Sequence, residues 1–305
     1  MEKLLLGNAL PASPIALGCM RMAGMDDAAA EQVIFTALEN GIDFFDHADI
    51  YGGGESEKIF GRVLKNNPGL REKIVLQSKC GICRGYYDAS KEHILEAADG
   101  ILKRLGVDYL DALLLHRPDA LMEPEEVADA FETLHRAGKV RYFGVSNHNA
   151  AQMELLSAYM QQKLIINQLQ FSMAHTGLVD AGVNVNIHSD HAVVRDGGVL
   201  DYCRLNDITI QAWSPFQYGM FKGVFLGNNE LYPELNAEVQ KIAEEKGVTD
   251  SAIAVAWIMR HPAKIQTIIG SMNAKRIADI AKAQDIALTR QEWYRLYLAA
   301  GNPLP

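Results

Sequence analysis

Short apolar runs alternate with longer amphipathic stretches along the whole 305-residue chain. Residues 15–19, 42–45, 73–78, 109–115, 140–145, 164–167, 208–212 and 265–269 read as strands. Each is followed by a loop and a stretch with apolar positions three and four apart, the spacing of a helix that buries one face. Those helices fall at 28–40, 55–65, 90–105, 124–137, 150–159, 200–206, 234–246 and 274–283. Gly41, Gly106, Gly138 and Gly247 stand just past four of them, where glycine tolerates the left-handed backbone that ends a helix.

Alternating strands and helices imply a parallel sheet with right-handed crossovers. About eight such units close most simply as a (β/α)8 TIM barrel, an α/β fold, in one domain spanning 1–305. The remaining segments are additions. An N-terminal hairpin strand within 1–8 caps the barrel bottom, and two extra helices fall at 251–261 and 290–300. The stretch 172–198, rich in Asn, His, Asp and Gly, reads as a long functional loop.

In such a barrel the chemistry gathers at the C-terminal ends of the strands. The second run delivers Asp46, with Tyr51 shortly after; the third delivers Lys79 and the fourth His116. A buried Asp or Lys is costly unless paired, so Asp46 and Lys79 should meet. That leaves an ammonium beside a phenol, which should lower the phenol's pKa and let Tyr51 protonate a substrate oxygen. His116 can orient the carbonyl. No side chain supplies a hydride, so a nicotinamide cofactor is implied. Ser146, Asn147 and Gln168 offer the partners a carboxamide needs, and Trp213, followed by Ser214, a flat face for a ring. After Gly270, Ser271 at the start of the last helix, with Lys275 and Arg276 in the next turn, suits a phosphate. No GxGxxG occurs, which argues against a Rossmann domain.

Composition narrows the partners. The chain is 49% hydrophobic and 22% charged with net charge -9, ordinary for a soluble globular protein and poor for nucleic-acid binding. No apolar run is long enough to span a bilayer. The apolar stretch of the N-terminus is too short for a signal peptide, so a cytoplasmic protein with four reduced cysteines is expected, as a monomer acting on a small carbonyl compound. Cys80-Gly81-Ile82-Cys83 lacks two further ligands for a zinc site and reads as two free thiols in a loop, and His188-Ser189-Asp190-His191 reads as a polar rim. No metal is expected.

The ordered set of motifs resembles the aldo-keto reductases over almost the whole chain, in particular poorly characterised bacterial members. It comprises Gly41-Ile42-Asp43-Phe44-Phe45-Asp46-His47-Ala48-Asp49-Ile50-Tyr51-Gly52, Ser78-Lys79, Leu113-Leu114-Leu115-His116-Arg117-Pro118, the segment from Gly138 to Asn147, Asn167-Gln168, Trp213-Ser214-Pro215 and Ile268-Ile269-Gly270-Ser271. The resemblance implies reduction of aldehydes or ketones with NADPH, and a catalytic tetrad of Asp46, Tyr51, Lys79 and His116 with Tyr51 as general acid. It implies carboxamide contacts from Ser146, Asn147 and Gln168 and ring stacking on Trp213. Ser271 and Arg276 fall at the adenosine 2′-phosphate and Asp279 at the adenine amine. Gly270 stands where many members have a basic residue, Ile280 replaces a common Asn and Trp213 a Tyr. These departures leave NADH as the alternative cofactor. Two other readings compete: a non-catalytic subunit of this fold that senses nicotinamide redox state, and a metal-dependent hydrolase using Asp46, His47 and His116.

Overall fold

The computed structural model describes residues 2–305. A two-stranded antiparallel hairpin, β1 (Leu4–Leu6) and β2 (Leu10–Ala12), precedes the barrel. The barrel strands are β3 (Ile15–Gly18), β4 (Phe44–Asp46), β5 (Val75–Cys80), β6 (Leu110–Leu115), β7 (Val140–Ser146), β8 (Leu164–Gln170), β9 (Thr209–Trp213) and β10 (Gln266–Ile269). They are parallel and neighbour one another in chain order, and β10 pairs with β3 to close the ring. Around them lie α1 (Asp27–Glu39), α2 (Glu55–Asn66), α3 (Lys91–Leu105), α4 (Pro124–Arg136), α5 (Ala150–Tyr159), α6 (Gly177–Val183), α7 (Val199–Leu205), α8 (Pro233–Lys246), α9 (Asp250–Met259), α10 (Ala274–Ala281) and α11 (Arg290–Ala299). The expected fold and unit order are those observed.

The two-residue period of a strand sorts the side chains into two shells. Leu17, Phe45, Leu76, Leu113, Leu115 and Val145 face outward and pack with the apolar stripes of the helices. Ala16, Phe44, Val75, Ala112, Leu114, Ile166 and Ile268 face inward and form a separate cluster with Leu6, Leu10 and Ala12 of the hairpin. The hairpin therefore plugs the bottom of the barrel. It runs further than the expected 1–8, because Leu10 and Ala12 of its second strand carry the apolar contacts; residue 1 lies outside the described residues. Gly7 turns the hairpin at φ +56°, and a Cβ there would collide with the Ile165 side chain.

Above the apolar layer the barrel interior turns polar. Gln77 Nε2 donates to Gln211 Oε1 at 2.9 Å, Gln168 Nε2 to the same oxygen at 3.0 Å, and Gln211 Nε2 to Gln266 Oε1 at 2.7 Å. Gln266 Nε2 then donates to Ser13 O at 2.6 Å. These buried amides satisfy one another, which lets four polar side chains sit in the core without unpaired donors. This layer separates the plug from the chemistry above it.

Two local expectations change. The stretch 172–198 is not one loop: it carries α6 and a short turn at Asp190–Ala192. Tyr297 Oη donates to Asp180 at 2.9 Å, tying α6 to the C-terminal helix α11. Cys80 is not a loop thiol but the buried last residue of β5, so the two cysteines of the CxxC stretch lie in different environments. No helix of the described residues is long and apolar enough to cross a membrane.

Candidate active site

Four residues expected to act together do meet. Asp46 ends β4, Lys79 lies in β5, His116 follows β6, and Tyr51 stands on a short helical turn after β4. Phe44 and Asp46 share the inner face of β4, as Gln77 and Lys79 share that of β5, so strand period alone carries the acid and the amine into the barrel mouth. Lys79 Nζ donates to Asp46 Oδ1 at 2.7 Å, Oδ2 at 2.8 Å and His47 O at 2.7 Å. It also donates to Tyr51 Oη at 3.2 Å. Every ammonium hydrogen thus has an acceptor, which is what a fully buried lysine requires. Gln77 Nε2 at 2.6 Å and Gln168 Nε2 at 3.2 Å also donate to Asp46 Oδ1.

Burial works against the charged form of Lys79, but Asp46 and Tyr51 outweigh it and hold the ammonium above its ordinary pKa. Tyr51 departs from expectation. Burial raises its phenol, and the pull of Lys79 in the other direction does not cancel this. The reason is that Asp46, in contact with Lys79, neutralises much of that field and itself disfavours a phenolate. Tyr51 is therefore held in its protonated form. Burial, with the charges of Lys79 and Arg117, depresses His116 well below the ordinary imidazole value, so its ring is neutral at physiological pH. The Tyr51 and His116 rings meet edge-on, centroids 6.0 Å apart.

Beneath the Tyr51 turn lies a buried network absent from the sequence expectations. Glu57 accepts from Ser78 Oγ at 2.7 Å and from Arg104 Nε at 2.7 Å. Burial and the nearby Glu57 raise the Asp49 carboxyl to about 6. The interlock anchors the start of α2 to β5 and α3, and so the turn that carries Tyr51. Ser78 ends the run 73–78 and Asp49 lies between Asp46 and Tyr51, but Glu57 and Arg104 sit inside helical stretches, where no sequence signal marked them.

The residues expected to hold a cofactor form a second chain on the opposite side of the mouth. Trp213 Nε1 donates to Asn147 Oδ1 at 3.3 Å, Asn147 Nδ2 to Ser146 Oγ at 2.7 Å, and Ser146 Oγ to Gln168 O at 3.0 Å. Asn147 and Ser214 both adopt positive φ, +58° and +52°, immediately after their strands. Arg117, beside His116, lies with its guanidinium carbon 5.9 Å from the centroid of the Trp213 ring. The strand neighbours of β10 place Gly270 and Ser271 on the same face of the barrel. Ser271 Oγ accepts from Asn273 N at 3.2 Å, and Asn273 caps α10 by accepting from Arg276 N at 3.0 Å. Arg276 is exposed. Asp279 faces Lys275 at 3.7 Å and Lys282 at 3.4 Å, and the Lys275 side chain is exposed.

A closed parallel barrel with a buried acid and amine and a half-buried phenol and imidazole at its upper rim defines a class of oxidoreductase. The chain belongs to the aldo/keto reductase family, whose family model matches residues 14–297. It is 36% identical over 320 residues to the uncharacterized oxidoreductase YcsN of Bacillus subtilis (strain 168), covering all of both chains. It is 35% identical to a 6-dehydroglucose reductase of Agrobacterium fabrum, covering 98% of each. Among solved structures, an aldo/keto reductase from Klebsiella pneumoniae in complex with NADP and acetate superimposes with a TM-score of 0.78 at 24% identity, covering 100% of this chain and 97% of the other.

Proposed function

We propose that this protein reduces an aldehyde or ketone to the alcohol with NADPH, Tyr51 giving the proton to the carbonyl oxygen. The observation that carries this reading is the buried contact of Lys79 Nζ with both oxygens of Asp46 and with Tyr51 Oη. Lys79 donates to the phenol oxygen, so the phenol's own proton points elsewhere and is free for a substrate. As that proton leaves, the ammonium is already in place to stabilise the phenolate. Neutral His116 has one N–H to offer the same substrate oxygen, which fixes the carbonyl against Tyr51. Asp46 keeps Lys79 charged.

The residues present fit a nicotinamide dinucleotide. The buried Gln170 Nε2 and His116 Nδ1 have no partner within the protein, and both belong to the upper rim. A Cβ at Gly270 would meet nothing within 4 Å, so the end of β10 is open. Ser146, Asn147 and the amide oxygen of Gln168 would hold the carboxamide and Trp213 the ring. Ser271 and Arg276 would hold the adenosine 2′-phosphate. A bound nicotinamide supplies the hydride.

The test is Tyr51→Phe, assayed by NADPH oxidation against a panel of small aldehydes. Turnover should fall about 10²- to 10⁴-fold while NADPH affinity stays near wild type. Retained turnover would remove Tyr51 as the acid.

A further inference from the structure

Among the described residues, one group of metal-ligating side chains stands together outside the tetrad, and nothing in the proposed reduction uses it. It arises from the half of the CxxC stretch that the core does not bury. After β5 the chain doubles back in a small hairpin, with Ile82 bridging Tyr87 and Asp88 N donating to Gly81 O at 3.0 Å. Cys83 sits in this hairpin, Asp88 at its far end, and His93 in the first turn of α3. Cys83 Sγ lies 3.9 Å from His93 Nε2. A carboxylate oxygen of Asp88 completes the group, with all three donor atoms within 4.8 Å of one another.

We infer that Cys83, Asp88 and His93 form a binding site for a borderline-soft divalent cation, Zn²⁺ foremost. The donor set suits that ion: one thiolate, one imidazole nitrogen and one carboxylate oxygen. Around tetrahedral zinc such atoms stand roughly 3.4–3.6 Å apart, given bond lengths of about 2.0–2.3 Å. Cys83 Sγ and His93 Nε2, 3.9 Å apart, are thus close to that spacing before any ion arrives, with the Asp88 oxygen within 4.8 Å of both. Ser90 N donates to Asp88 Oδ1 at 2.9 Å and Ser90 Oγ accepts from His93 N at 3.3 Å. The cap of α3 therefore fixes two of the three ligands relative to each other, so little ordering remains to be done on binding. All three side chains are partly exposed, which leaves a path in and a fourth position for water. Cys80 belongs to the buried core and takes no part. The site lies just past Lys79 in the chain, and an ion there would pin the hairpin to α3 beside the barrel mouth.

The test uses the full chain, reduced and stripped with chelator, then titrated with Co²⁺ alone and afterwards with Zn²⁺. Co²⁺ should bind one per chain with a thiolate-to-cobalt charge-transfer band, and Zn²⁺ should abolish the band. Cys83→Ser should lose the band and His93→Gln should weaken Zn²⁺ at least tenfold in competition with a chromophoric chelator. Cys80→Ala should change neither. Absence of the band overturns the site. So does a band that survives Cys83→Ser, or Zn²⁺ affinity unchanged in His93→Gln.

Discussion

Lys79 Nζ lies 2.7 and 2.8 Å from the two carboxylate oxygens of Asp46, and the pair is sealed from solvent. A buried ion pair of this kind stabilises little in total but is costly to break on one side. Asp46→Asn should therefore destabilise the fold by about 3–5 kcal/mol, read as a lower urea midpoint. Adding Lys79→Met should restore at least half of that loss, because the uncompensated charge is gone. A single mutant as stable as wild type contradicts the pairing.

In the proposed reduction, the protonation states of Tyr51 and His116 should set the pH profile. Tyr51 is pushed above its ordinary value of 10.0, and the reaction needs it protonated. His116 is depressed well below 6.5, so it does not gain charge near neutrality. The rate should be flat between about pH 7 and about pH 9.5 and fall only beyond. A break near pH 8 would mean that Lys79 does lower the phenol in the working enzyme.

His47 sits wholly buried against Phe60, ring centroids 4.7 Å apart, with neither ring nitrogen partnered. Burial, and then the charge of Lys79, lowers its pKa from 6.5 to about 3. Its folded value lies below its unfolded one, so the unfolded chain takes up the proton first as pH falls. Stability is lost progressively from about pH 6.5 down toward about pH 3, by about 2 kcal/mol between pH 7 and pH 5 from this group. His47→Leu should flatten that part of the acid limb by a similar amount in denaturant titrations. An unchanged slope would show that His47 finds a proton partner.

Arg276 is exposed at the start of α10, next to the backbone that caps the helix. If it meets the 2′-phosphate, Arg276→Ala should raise the Kd for NADPH about tenfold or more and leave NADH within about twofold. Equal effects on both cofactors, measured by fluorescence titration, would move the phosphate contact to another residue.

The barrel and its tetrad were legible along the chain for a shared reason. Each of Asp46, Lys79 and His116 follows or ends an apolar run, and consecutive runs become neighbouring parallel strands. Order in the sequence then equals order around the mouth. Gln77, Gln211 and Gln266 were not legible, since each is one polar letter inside a stretch that reads simply as a strand. Their partners lie on strands far off in the chain.

The direction of the Tyr51 shift and the grouping of Cys83 with Asp88 and His93 lay beyond the sequence for a different reason. Residue order says which side chains reach one rim. It does not say how much water remains around a phenol, or how far Asp46 cancels Lys79. Nor does spacing show that a hairpin at 81–88 folds a thiol back onto the first turn of α3. Strand periodicity is a local property of the backbone and is written in every residue pair. Desolvation and the closing of a loop depend on atoms contributed by several elements at once, and those meet only when the barrel closes.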